Sequence, residues 1–424
     1  MRIPERLPRP LVARLALVCM AAGVAGCATG RPWLRGNLHT HSLWSDGDQF
    51  PEVALLWYRD HGYDFVAVSD HNTLSVGERW VPAAGEPGRE AAVAEYRRLF
   101  GDDWVQTRRD SAGGTLVRLR TFEEYAGKLN TGRFLVVQSE EISDRFETRP
   151  LHVNATNVAE YIAPQGGTSV ADVLQRNINA VLEQRRRTGR IMIPHVNHPN
   201  FGWSVTAEDL MGLAGERFFE VYNGHWLVHN DGDSLHPSTD RLWDIVLTAR
   251  LGAGAGPLYG LATDDAHNYG RFDSAQANPG RGWVMVRARE RRPDAILEAL
   301  ERGDFYATTG VRLGDVRATA EGLSLRIRAE PGVSYVTEFI GTRRGYDSTT
   351  STLPEVAGLP VARRYSDDIG VVLARVEGAS PAYRFTGDEL YVRARVRSSA
   401  PKDNPVVRGE VQRAWTQPVV PGSR

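Results

Sequence analysis

Residues 64–71 read D-F-V-A-V-S-D-H, an apolar run that stops on an acid and an imidazole, Asp70 and His71. A strand buried on both faces is short, rich in β-branched and aromatic residues, and bounded by polar ones. The same pattern recurs along the chain. R-F-L-V-V-Q-S (133–139) runs into Glu140 and Glu141, and R-I-M-I-P (190–194) into His195 and His198. F-F-E-V-Y-N (218–223) leads to His225, and L-Y-G-L-A-T (258–263) to Asp264, Asp265 and His267. One such junction is ordinary, whereas five in succession predict a barrel whose strands deliver polar side chains to a common mouth at their C-terminal ends. Helical stretches alternate with the strands, among them P-E-V-A-L-L-W-Y-R-D from Pro51 and S-V-A-D-V-L-Q-R-N-I-N-A-V-L-E-Q from Ser169. The class is therefore α/β, a distorted, TIM-like β/α barrel.

Upstream, N-L-H-T-H-S-L-W-S-D-G (37–47) places His39 and His41 one residue apart with Asp46 behind them. In extended chain both imidazoles face one side and can grip one cation. With eleven histidines in 424 residues, chance alone yields such a pair roughly 0.3 times per chain, so its weight comes from the junctions above. All eleven histidines lie at or before His267. Chemistry is thus predicted within residues 36–311. Residues 72–133 interrupt the strand spacing and read as an insertion, the kind that forms lids or pocket walls. After residue 311, L-S-L-R-I-R-A-E (323–330) and L-Y-V-R-A-R-V-R (390–397) alternate with the period of half-buried strands, which predicts an all-β, sandwich-like module over 312–424.

At the other end, residues 1–26 carry Arg2, Arg6, Arg9 and Arg14 against Glu5, then an uncharged run of twelve residues before Cys27. That run is shorter than the ~20 residues that span a bilayer and reads as a signal-peptide core. V-A-G-C (24–27) resembles a bacterial lipobox, so Cys27 is expected to carry lipid and become the mature N-terminus, with 27–35 as a tether. Such a chain is exported and membrane-anchored. Ala28, in place of an aspartate that retains lipoproteins at the inner membrane, favours the periplasmic face of the outer one. Cys19 leaves with the signal, so neither a disulfide nor thiolate chemistry is expected. Cleavage also takes the formal charge from −1 to about −4, and nothing in the charge pattern points to nucleic acid.

Taken together, N-L-H-T-H-S-L-W-S-D-G-D (37–48), H-G-Y-D-F-V-A-V-S-D-H-N-T (61–73), S-E-E-I-S with His152, V-N-H-P-N (196–200), Y-N-G-H (222–225), A-T-D-D-A-H (262–267) and R-G-D-F-Y-A-T-T-G (302–310) resemble the PHP-domain (polymerase and histidinol phosphatase) metallohydrolases. Within that superfamily the chain is most similar to the carbaryl-hydrolase-like CehA/McbA group. The resemblance implies nine metal ligands: His39, His41, Asp46, His71, Glu141, His152, His198, Asp265 and His267. It implies two or three divalent transition metal ions (zinc, manganese or iron), with the carboxylate at Asp46 bearing on the third. Glu141 matches the carboxylate that bridges two ions, and Glu141, Asp265 and His198 are expected to carry the catalytic step. Asp70, His195, His225 and Asp264 are read as orienting the ligands or touching substrate.

The implied activity is metal-assisted hydrolysis of a small-molecule ester, a phosphoester or a relative of one. Carbamate or carboxylic ester cleavage of the carbaryl-hydrolase type is the alternative within the enzyme class. A surface lipoprotein that binds metal without catalysis is the alternative outside it. No G-x-S-x-G is present for a serine esterase. Arg79, Arg108, Arg109, Arg271 and Arg281 are the cations available to a phosphate group. His229 and His236, in a polar loop, are read as solvated, and His61 as a residue near a helix C-terminus.

Overall fold

The computed structural model describes residues 32–353 and 363–422. The expected signal peptide, the lipobox and Cys27 lie outside the described residues. Among those described, no helix is long and apolar enough to cross a membrane.

The fold is mixed α/β around a thirteen-stranded sheet. Trp33–Asn37, Phe65–Val68 and Leu135–Phe146 pair in parallel, as do Ile193–Val196, Phe218–Asn223 and Tyr259–Thr263. Arg149–Thr156 joins the two groups by antiparallel pairing on both sides. Three of the strands at the quoted junctions, Phe65–Val68, Ile193–Val196 and Phe218–Asn223, are buried along their whole length, which is why they read as largely apolar runs. The end of the first strand also meets the end of the last of this set. Thr40 and Ala266 form a parallel bridge, His41 N donates to Ala266 O (2.9 Å), and Asp265 N donates to His39 O (3.1 Å).

Helix Pro51–Asp60 starts on proline, whose fixed φ and missing N–H suit a first turn. Helix Val170–Thr188 is capped by Ser169, whose hydroxyl accepts from Asp172 N (3.1 Å), and ends on Gly189 in the left-handed region. Their apolar faces cover the strands. Within 72–133 a three-stranded sheet, Arg79–Pro82, Thr107–Arg109 and Thr115–Leu119, carries helices Arg89–Phe100 and Phe122–Leu129 beside it. This segment packs on the loop that follows His41: Tyr96 stacks on Phe50 at 4.0 Å, and Trp44 Nε1 donates to Arg120 O (3.0 Å).

From residue 312 onward the described segments contain strands and no helix. Tyr335–Arg343, Val371–Glu377, Glu389–Pro401 and Val411–Thr416 extend the large sheet, entering it where Tyr306 pairs with Thr416. A three-stranded sheet, Leu313–Ala318, Gly322–Ile327 and Ala382–Arg384, covers one face, with Leu323, Leu325 and Ile327 packed against Phe339, Val392, Ala394 and Val396. The alternation in 390–397 has a different meaning from the expected half-buried strand. Arg393 is fully buried against helix Thr239–Gly252, where its guanidinium pairs with Asp240 and with Asp244 (2.6 Å). From Tyr391 to Ala394 both faces of this strand are covered, and the charge of Arg393 is tolerated there because it is paired.

Candidate metal centre

Glu141 lies at the middle of the site, on the strand Leu135–Phe146. Its Oε1 is 2.9 Å from His152 Nδ1, 3.3 Å from His39 Nε2 and 3.4 Å from His198 Nε2. Its Oε2 is 2.8 Å from His71 Nδ1 and 3.3 Å from His41 Nε2. Asp265 faces it, with Oδ1 3.2 Å from both His39 Nε2 and His41 Nε2. Above them Asp46, 58 % exposed, has Oδ1 3.3 Å from His267 Nε2 and Oδ2 3.6 Å from His71 Nε2. All nine residues implied by the resemblance are thus gathered in one cluster. Seven of them fall into overlapping groups able to hold a cation: His39, His41 and Glu141; His71, Glu141 and His152; His41, Asp46, His71 and His267. His198 and Asp265 join through their contacts with Glu141 and with His39 and His41. His71 and His41 are each shared between two groups.

The donor set fits divalent metals on a further observation. His39 Nε2 and His41 Nε2 are buried and make no aligned hydrogen bond, although carboxylate oxygens lie close by. Buried polar atoms are nearly always paired. Unpaired imidazole nitrogens and carboxylates aimed at one space are what a divalent cation requires. The opposite ring nitrogen of His39 is already engaged with Glu220 Oε1 (2.8 Å), that of His41 lies 3.4 Å from Ser45 Oγ, and His267 Nδ1 is 2.9 Å from Asp265 O. Those contacts set the tautomer and leave Nε2 as the ligand atom.

Electrostatics reinforce the geometry. Burial pushes the Glu141 carboxyl up, but His71, His152 and His39 outweigh it and hold the group well below the usual carboxylate range. Burial likewise opposes ionisation of Asp265, and His39, His41 and His267 hold it low. Burial and the neighbouring His267 and His71 push the His41 imidazole down to about 3. Both central carboxylates are therefore anionic and His41 is neutral, the states in which each can bind metal. Against the effect of burial, the same carboxylates push the imidazoles of His39 and His267 up and that of His71 up to about 9, so that binding a cation there would displace protons.

Four residues read as orienting groups occupy distinct places. Asp70 accepts from Ser42 N (2.7 Å), Ser42 Oγ (2.8 Å) and Ser45 Oγ (2.6 Å), tying down the loop between His41 and Asp46. Asp264 accepts from the backbone N–H groups of Gly280, Arg281 and Gly282 at 2.6–2.9 Å and points away from the cluster. His195 is buried below His39, its Nε2 3.5 Å from Glu220 Oε1. His225 stands at the rim beside His267, ring centroids 5.5 Å apart, where burial holds its imidazole down at about 4. The neighbouring Glu140 points to the other face of its strand and accepts from Ile162 N (3.0 Å). His61 is exposed and bonded to its own helix through Trp57 O (2.7 Å). His236 is buried rather than solvated, stacked on Trp203 at 4.1 Å because the aromatic ring folds the polar loop over it.

Two residues that the reading of the sequence did not single out complete the centre. Glu220 is fully buried and accepts from His39 Nδ1 and His198 N (2.8 Å each), Asn223 Nδ2 (2.8 Å) and Thr263 Oγ1 (2.7 Å). Asn197 Nδ2 donates to Glu141 Oε1 (2.6 Å). The available signal for Glu220 was a carboxylate in the middle of the otherwise uncharged run F-F-E-V-Y-N.

The five arginines considered for phosphate bind residues other than the nine of the cluster. Arg281 is buried and donates to the carbonyls of Gly224 (2.9 Å) and Asp273 (2.8 Å), and Arg109 donates to Gly113 O (2.8 Å). Arg79 is held by Trp44 O, Arg108 lies over the Trp80 ring, and Arg271 pairs with Asp273.

No protein-family model matches the chain, and no curated protein matches it. Among solved structures it is similar to a two-domain protein of Bacteroides vulgatus described as containing a predicted PHP-like metal-dependent phosphoesterase, at 16 % identity and a TM-score of 0.40 over 92 % of this chain and 95 % of that one. It is also similar to a Bifidobacterium adolescentis protein described as a metal-dependent phosphoesterase, at 14 % identity and a TM-score of 0.29 over 57 % of this chain and 90 % of that one. At such scores the basis for a function is the chemistry of the cluster.

Proposed function

We propose that this protein is a metal-dependent hydrolase of the PHP type, acting on a phosphoester or related ester of a small molecule. The observation that carries the reading is the convergence of nine candidate ligands on one space with the buried Nε2 atoms of His39 and His41 left without a hydrogen bond. Divalent ions held there acidify a water toward neutrality and polarise the ester oxygen. The chain's own part is to hold the ligand atoms in place: Glu141 spans the groups, Glu220 and Asp70 fix the rings and the first loop, and the anionic carboxylates offset the cations' charge. In this reading residues 36–311 form a distorted β/α barrel, closed at the mouth by the bridge between Thr40 and Ala266. Residues 312–424 form a β-sandwich-like domain on it, and Cys27 anchors an exported chain to the outer membrane.

A second reading, carbamate or carboxylic ester hydrolysis, is favoured by the placement of the five arginines, whose cations are engaged away from the cluster. The test is elemental analysis of the purified full-length protein, then a panel of nitrophenyl phosphate, cyclic phosphate, carboxylic ester and carbamate substrates. Two or three bound ions and metal-dependent turnover of a phosphoester are expected. Metal without turnover of any substrate would leave a binding protein and defeat the hydrolase assignment.

A further inference from the structure

His225 is held in one tautomer by its own turn. Its backbone N–H donates to Asn223 Oδ1 (2.8 Å), and its ring Nδ1 accepts from Leu227 N (3.2 Å). A neutral imidazole has one acceptor and one donor nitrogen, so with Nδ1 accepting, the proton is on Nε2. Among the described residues no protein group accepts from Nε2, and the atom is not buried. The ring cannot turn away freely. His267, a candidate ligand, lies edge-on to one side at 5.5 Å and 74°, and Phe201 lies at 6.0 Å and 89°. Phe201 in turn packs on the candidate ligand His198 at 5.1 Å. A preset N–H donor therefore stands open at the rim of the metal cluster, on a site whose expected arginines are engaged elsewhere.

We propose that His225 is a catalytic residue whose Nε2–H donates a hydrogen bond to an oxygen of the ester's reacting group. It supplies, as a neutral donor, the contact to developing negative charge that a cation provides in other sites. Preset donors of this kind act most strongly in the transition state. The inference rests on the hydrolase reading, and its test keeps the two apart.

The test uses the full-length, metal-loaded protein and two variants, His225→Leu, which keeps bulk without a donor, and His225→Gln, which keeps an amide N–H at similar reach. Bound metal, kcat and KM on the best substrate of the panel, and the affinity for inorganic phosphate are measured for each. In His225→Leu, metal content should match wild type, kcat/KM should fall by about 100-fold, chiefly through kcat, and phosphate should bind more weakly. His225→Gln should recover a large part of both. Unchanged kcat/KM and unchanged phosphate affinity in His225→Leu would overturn the proposal. So would loss of metal in both variants, which would make His225 a support of the cluster. A wild type inert on every ester fails the hydrolase assignment, whereas weaker phosphate binding confined to His225→Leu still supports the contact.

Discussion

Glu220→Gln exchanges one oxygen for an amide nitrogen at constant size and puts the orientation of His39 to a quantitative test. All four partners of Glu220 donate to it: His39 Nδ1 and Thr263 Oγ1 to Oε1, His198 N and Asn223 Nδ2 to Oε2. Glutamine offers one acceptor oxygen and one NH2 group, so one side must become donor against donor. The backbone N–H of His198 cannot reverse, which keeps the amide oxygen there and turns the NH2 toward His39. His39 then accepts at Nδ1 and carries its proton on Nε2, the atom that faces Glu141 and Asp265. A protonated Nε2 is no ligand. Loss of such an orienting carboxylate costs about 10- to 100-fold in metal affinity, equivalent to about 1.4 to 2.8 kcal/mol at about 1.4 kcal/mol per tenfold. The assay is competition of the folded variant with a chelator of known affinity, followed by elemental analysis. Wild-type metal affinity in a folded Glu220→Gln protein would refute the tautomer argument and leave Glu220 as a packing residue only.

Three further outcomes are expected. Glu141→Gln removes the charge shared by five imidazoles and should abolish turnover and lower metal content while circular dichroism stays native; full turnover with full stoichiometry would contradict the shared-carboxylate arrangement. Glu140 is a pH probe: burial pushes its carboxyl from an ordinary 4.5 up to about 8, so between those values the folded state keeps a proton the unfolded chain releases, and stability falls as pH rises. The gain in Tm of Glu140→Gln over wild type should therefore grow from pH 5 to pH 8, and a pH-independent difference would count against it. Cys27→Ala should yield unprocessed or soluble protein on cell fractionation, and unchanged membrane attachment would rule out the lipid anchor.

The ligands were legible because most stand at a strand end, where an apolar run breaks onto an acid or imidazole and the break itself marks the mouth. His71, His198 and Asp265 are all of this kind. Glu220 was hidden by the reverse situation. It lies inside the run, so the eye counts Phe218, Phe219 and Val221 as strand and passes over the one carboxylate that alternation turns toward the cluster. Arg393 shows another limit. Period-2 alternation distinguishes two faces but does not say what covers the polar one, and here Asp240 and Asp244 of a helix about 150 residues upstream do so. The tautomer of His225 depends on one backbone N–H in a tight turn, a detail no pattern of residue types carries.

The hydrogen bonds that join His39 to Asp265 and His41 to Ala266 give the cluster an order in time. Its first ligands are made early in synthesis and its last only when residue 267 has emerged, and closing so long a loop is a late, slow event in folding. The full set of nine candidate ligands thus exists only after residue 267 has been made, although smaller groups such as His39, His41 and Glu141 are complete earlier. If the chain is exported as proposed and folds after transit, the full ligand set is completed where that closure takes place and not where the protein is made. Ion supply outside the cytoplasm, more than intrinsic affinity, then decides which metal the enzyme works with.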